Sequence, residues 1–312
     1  MKIQVKESFM FTGIFIFIIY SISLFINSKI SPFGYNEKRY PNVQEATLQS
    51  DLLILGSSQA YSGFNPIIFD TNLGIDTYNL GTPAEIPVIT YYRFEEAMKK
   101  SNPKVVIIDI YFRILSYDVN FQYIPLWIKS VSSETKEKIM SEIPLKDRLK
   151  VTFNITGMDQ NISEYIRNFS KERSAGHKGF VSVKKKASLD TLEEENRFEE
   201  YTFETNYHVA KNIEYLDKII DISKKRGIKV IFVTTPLPKS SVEKIRNYND
   251  INNFIEGHLR KKGVDYYDFN ILKNPVFIDT EDFEDGNHLN YYGATKISEY
   301  VSKEILKKEM FK

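Results

Sequence analysis

From residue 51 onward, short apolar runs alternate with longer stretches of helical period, and this alternation limits the folds open to the chain. The apolar runs are Asp51–Leu55, closed by Gly56, Lys104–Tyr111, which follows Pro103, and Ile228–Val233, while Thr77–Leu80, closed by Gly81, and Val264–Asp268 read as further, more polar strands. Continuous apolarity over four to six residues marks a strand buried on both faces rather than one with a wet side. Helical stretches lie between the runs: one after Pro66, one through Tyr92, Phe94, Ala97 and Met98, then Tyr207–Arg226 ending at Gly227, Ser241–Lys262 ending at Gly263, and Tyr291–Lys308. Strands that alternate with helices predict an α/β three-layer sandwich, with a mostly parallel sheet covered on both sides. With 42% hydrophobic residues, the 312-residue chain can fill such a core.

Two regions break the rhythm. Phe9–Ile26 is uncharged and rich in Phe and Ile; as a helix it spans about 27 Å, close to the hydrocarbon thickness of a bilayer. Asn27-Ser28-Lys29-Ile30 offers no small-x-small cleavage site, so residues 1–30 are expected to be an uncleaved transmembrane anchor in contact with lipid through residues 9–26. Lys2 and Lys6 on one side balance Lys29, Lys38 and Arg39 on the other, so charge alone does not orient the span. Residues 31–50, with Pro32, Gly34 and Pro41, read as a stalk leading to a domain over 51–312. At about 115–205, scattered aromatics, the run Lys184–Lys186 and the run Glu193–Glu195 read as an insertion, the charge runs being solvated faces or, for the lysines, a contact to an anionic polymer or lipid headgroups.

Composition removes several function classes. A net charge of +1 gives no field that attracts nucleic acid. The absence of cysteine excludes thiolate catalysis, disulfides and Cys-ligated metals.

In a parallel sheet, ligands bind beyond the carboxyl ends of the strands. Two segments there carry chemistry. Gly56-Ser57-Ser58 follows the first strand, and a hydroxyl at a helix N-terminus suits a serine nucleophile, although Gly-Ser-Ser also makes ordinary turns and caps. Asp285-Gly-Asn-His288 precedes the last helix and holds one of four histidines, the others being His177, His208 and His258. A serine hydroxyl needs a neutral-range base, and that base needs a carboxylate to fix its tautomer; Asp285 and His288 supply both, or else form a helix cap beside an exposed histidine. As metal ligands they would make two, with no third histidine at helical or hairpin spacing.

Taken together, a hydroxyl after the first strand, a glycine after the second and Asp-x-x-His before the last helix resemble the SGNH, or GDSL-type, hydrolase family. The resemblance covers roughly residues 51–112 and 207–308 and implies a flavodoxin-like sheet. It implies Ser58 as nucleophile, Ser57 being the alternative, with His288 as base and Asp285 as its orienter. For the oxyanion hole it implies the backbone N–H of Ser58 and of Gly81, with Asn79 as a further candidate. Family members carry an asparagine block after the third strand, whereas here that strand ends Ile108-Asp-Ile-Tyr-Phe-Arg113, leaving Asn79, Tyr111 and Arg113 as possible stand-ins. Gly-Ser-Ser-Gln-Ala-Tyr-Ser-Gly-Phe-Asn-Pro is similar to a membrane-bound branch found in teichoic-acid D-alanylation and exopolysaccharide O-acetylation. That branch implies an extracytoplasmic esterase or O-acyltransferase without cofactor or metal. It also implies a cell-envelope polysaccharide or teichoic-acid-like substrate and a membrane-bound O-acyltransferase as partner. The alternative is a catalytically silent module that binds polysaccharide or scaffolds such a complex.

Overall fold

The computed structural model describes residues 10–15, 17, 18, 21, 40–119, 123–152, 177–194 and 198–311. Half of the expected anchor, 9–26, lies outside these residues, and among them no helix is long and apolar enough to cross a membrane.

Five strands form one sheet: β1 Leu52–Leu55, β2 Thr77–Asn79, β3 Val105–Asp109, β4 Lys229–Thr234 and β5 Asp265–Asp268, in the order β2-β1-β3-β4-β5. Every pairing is parallel, with Leu52 opposite both Thr77 and Val105, Ile108 opposite Phe232, and Val233 opposite Tyr267. This is the flavodoxin-like order, whose topological switch falls between β1 and β3.

Alternate side chains of the central strands enter separate cores. Leu53, Leu55, Val106, Ile108, Val230 and Phe232 pack with residues of helices Pro87–Ala97, Tyr207–Arg226 and Tyr248–Lys261 on one face. Leu52, Ile54, Val105, Ile107, Ile231 and Val233 pack with Phe64, Phe69, Ile297, Val301 and Ile305 on the other. The result is the expected helix–sheet–helix sandwich. The Tyr207–Arg226 helix stops where Gly227 takes the left-handed conformation, φ 72°, as its sequence predicts.

Two expectations are corrected. The single helix expected over Ser241–Lys262 is two, Lys239–Val242 and Tyr248–Lys261. Between them the backbone bonds to a neighbouring segment instead of to itself: Glu199 N–H donates to Lys244 O, Arg246 N–H donates to Glu199 O, and the Asn247 amide clasps the backbone of Tyr201. The stalk reading does not hold for residues 40–50, because Tyr40 and Val43 are buried and Val43 N–H donates to Ser130 O. Part of the expected insertion after residue 115 joins the core. Trp127 is fully buried, its indole N–H donating to Thr82 Oγ1 at 2.8 Å, and Ile139 and Ile143 join the same core.

Candidate active site

Ser58 opens the helix Ser58–Gly63 directly beyond β1. The exit from the strand is tight. Gly56 has φ +136°, and a Cβ there would lie 2.9 Å from Asp109 Cβ and 3.0 Å from Asp109 O, so neither backbone nor space admits a side chain. Ser57 caps the helix, its buried hydroxyl accepting the Gln59 N–H at 3.3 Å. That role turns Ser57 inward and leaves Ser58 half-buried, its N–H, the first of the helix, having no intrahelical acceptor.

The second half of the site is the turn before helix Tyr291–Lys307. Asp285 Oδ1 accepts the backbone N–H groups of Asn287 (2.8 Å) and His288 (2.7 Å), which folds the carboxylate back against the ring. His288 Nδ1 then lies 3.1 and 3.0 Å from the two Asp285 oxygens, and His288 Nε2 lies 2.9 Å from Ser58 Oγ. Burial works to raise the Asp285 carboxyl, but the bonds and charge of His288, with the two N–H groups, outweigh it and hold the group below its ordinary value. The structure therefore brings Ser58, His288 and Asp285 together in hydrogen-bonded series, with the imidazole tautomer set from the Nδ1 side.

The residues expected at the oxyanion hole are placed differently. Gly81 packs against the nucleophile helix, where an added Cβ would meet Tyr61 N at 2.7 Å. Its N–H, however, donates to Asn79 Oδ1 at 3.0 Å. The Asn79 amide in turn donates to Ala60 O and Phe64 O, both at 2.9 Å. Both groups are thus engaged within the protein, Asn79 as a brace between β2 and the nucleophile helix, and neither offers a free donor in this arrangement. Among the described residues no acceptor engages the Ser58 N–H, in contrast to that of Gly81.

Further residues complete the surroundings, most of them singled out by no sequence pattern; Tyr111 and Arg113, expected as oxyanion stand-ins, bond to Asn287 instead. Gln59 Nε2 donates to Asn287 O at 2.7 Å, while its Oε1 accepts the Thr235 hydroxyl at 3.2 Å. Thr235 also donates to Asp109 Oδ1 through both its hydroxyl (3.1 Å) and its N–H (3.3 Å). Asp109 itself is buried, with Oδ2 unpartnered; burial raises its carboxyl to about 7, against the pull of Thr235 and Ser57. Asn287 Oδ1 accepts from Tyr111 Oη at 3.0 Å and from Arg113 Nη1. The carboxylate of Glu284 lies with Asp285 and His288 so that potential metal-ligating atoms fall within 4.8 Å of one another. Asp285 and His288 already satisfy each other, so these donors fit a proton relay better than an ion.

Fold and site together define an α/β protein in which a serine, a histidine and an aspartate stand in hydrogen-bonded series at the carboxyl edge of the sheet. Comparison with known proteins adds the following. A family model that carries no description matches residues 156–310, slightly under half of the chain. No curated protein matches. Among solved structures, the chain is similar to a proposed acylhydrolase from Bacteroides fragilis (11% identity, TM-score 0.44, covering 88% of this chain and 99% of that one). It is also similar to a GDSL-like lipase from Bacteroides thetaiotaomicron (10%, TM-score 0.42, covering 93% and 98%). A third likeness is to a catalytic mutant of an acetylxylan esterase from Geobacillus stearothermophilus (12%, TM-score 0.42, covering 82% and 94%). At these values the likenesses leave activity and substrate to be argued from the site itself.

Proposed function

We propose that the chain is a serine-dependent acyl esterase or O-acyltransferase of the SGNH type. The observation that carries the reading is the 2.9 Å approach of His288 Nε2 to Ser58 Oγ, with Asp285 bound to the opposite ring nitrogen. His288 takes the hydroxyl proton as Ser58 Oγ attacks the acyl carbonyl. The tetrahedral oxyanion is met by the Ser58 N–H, and its collapse expels the alcohol, which receives the proton from His288. The acyl-serine is then released to water in an esterase, or to a sugar or polyol hydroxyl in a transferase. A cell-envelope or extracellular polysaccharide is the proposed substrate, on the strength of the motif likeness and of the anchor expected at residues 9–26, which would hold the domain beside polymers made at the membrane, with a membrane-bound O-acyltransferase as donor partner.

Incubation with a fluorophosphonate tests the proposal. Wild-type protein should be labelled with second-order kinetics, and Ser58→Ala and His288→Ala should not. The silent polysaccharide-binding or scaffold module is favoured by one observation, the engagement of Gly81 and Asn79 with other protein groups, since one missing oxyanion donor costs about 3 kcal/mol of transition-state stabilisation. On that reading, labelling is absent while glycan binding survives both substitutions.

A further inference from the structure

Resting on the Ser58 reading, we infer that Arg113 is a positioning residue of the triad, acting through Asn287, and that the segment around Glu199 sets its place. Asn287 immediately precedes His288, and the turn that carries them is tied to three strand ends. From β1, Gln59 Nε2 donates to Asn287 O at 2.7 Å. From beyond β4, Ser241 Oγ donates to Gly286 O at 3.0 Å. From beyond β3, Tyr111 and Arg113 both donate to Asn287 Oδ1.

The guanidinium is a donor only, so its bond fixes which end of the Asn287 amide faces β3. Its planar fork is held in turn from the opposite side, Nε donating to Glu199 Oε2 at 2.9 Å and to Tyr201 Oη at 3.1 Å, with Glu199 also accepting the Tyr201 hydroxyl. The charge lies 5.7 and 5.6 Å from the Tyr111 and Phe112 ring centroids. Arg113 is largely buried by this cage and has little freedom to swing. Glu199 is itself fixed by backbone bonds to Lys244 and Arg246. A continuous path therefore runs from the segment after residue 198, through Arg113 and Asn287, to the general base. A three-point hold on a four-residue turn matters because a base displaced by about 1 Å loses on the order of a hundredfold in rate.

The test compares wild type, Arg113→Met, Arg113→Lys, Asn287→Ala and the Arg113→Met/Asn287→Ala double variant in hydrolysis of p-nitrophenyl acetate and in fluorophosphonate labelling, with thermal unfolding monitored for each. Arg113→Met should lower kcat and the labelling rate about ten- to hundredfold with KM within about twofold. Arg113→Lys, which keeps one donor but not the fork, should restore part of the loss. Because both residues serve one contact, the double variant should be no slower than the slower single variant. Asn287→Ala, a truncation of a half-buried side chain, keeps the experiment decisive if Arg113→Met fails to fold. Wild-type rates in Arg113→Met or Asn287→Ala, losses that multiply in the double variant, or a loss confined to KM would each overturn the inference. Absence of labelling in the wild type would instead overturn the Ser58 reading on which it stands.

Discussion

At the scale of single residues, the nucleophile turn rests on Asp109, and that residue ties stability to pH. Its folded carboxyl is raised to about 7 from an ordinary value of 3.8, so between those values the folded state binds more protons than the unfolded one. Stability then falls as pH rises through that window and levels off above it. Asp109→Asn removes this ionisation while retaining an acceptor for Thr235. Urea denaturation from pH 4 to 8 should therefore show a shallower decline for the variant than for wild type. Gly56→Ala makes a different demand, a Cβ inside contact distance of Asp109 at a φ reserved for glycine. It should cost about 2 kcal/mol or more of stability by denaturant titration and move Ser58 away from His288, lowering fluorophosphonate labelling sharply.

Among the elements, the Pro87–Ala97 helix is pinned by one buried carboxylate. Glu96 accepts from Gln44 Nε2 (2.7 Å), Ser132 N–H (2.8 Å), Ser132 Oγ (2.9 Å) and Thr135 Oγ1, and pairs with Lys99 Nζ at 3.0 Å. Burial alone would raise it, yet these partners hold it down at about 2. Its contribution is present above the ordinary value of 4.5 and is lost as pH falls toward 2. Glu96→Gln exchanges an acceptor for a donor facing donors, and should cost about 2 kcal/mol in denaturant titrations at pH 7, with the difference from wild type shrinking at pH 3. Much of the element plan was legible in the sequence. Runs such as Leu52–Leu55 and Val105–Asp109 are apolar on both faces because both faces are buried, and Gly227 ends a helix by local geometry alone. The break between Val242 and Tyr248 was not legible, because it is made by Glu199 and Tyr201, more than 40 residues away, with no periodic signal to announce it.

For the molecule as a whole, the β2-β1-β3-β4-β5 order puts the ends of β1 and β3 and the turn before the last helix at one edge, although residues 58 and 288 are 230 positions apart. That Ser58, Asp285 and His288 would meet could be read in advance, because an activated serine would require a neutral-range base and a carboxylate beside it. Gln59, Asn287 and Glu199 could not, and Arg113 was legible only as a candidate oxyanion donor, since hydrogen bonds that orient a turn place no constraint on spacing along the chain. The oxyanion side went astray for a related reason: Asn79 and Gly81 bond to each other, an Asx-type contact that competes with any ligand for the Gly81 N–H. If the paired ends of the chain activate one hydroxyl, that oxygen alone takes up a covalent adduct. After fluorophosphonate treatment, tandem mass spectrometry of the proteolysed protein should place the phosphonyl group on Ser58. An adduct on Ser57 or another residue, or no adduct in folded wild-type protein, would contradict the account.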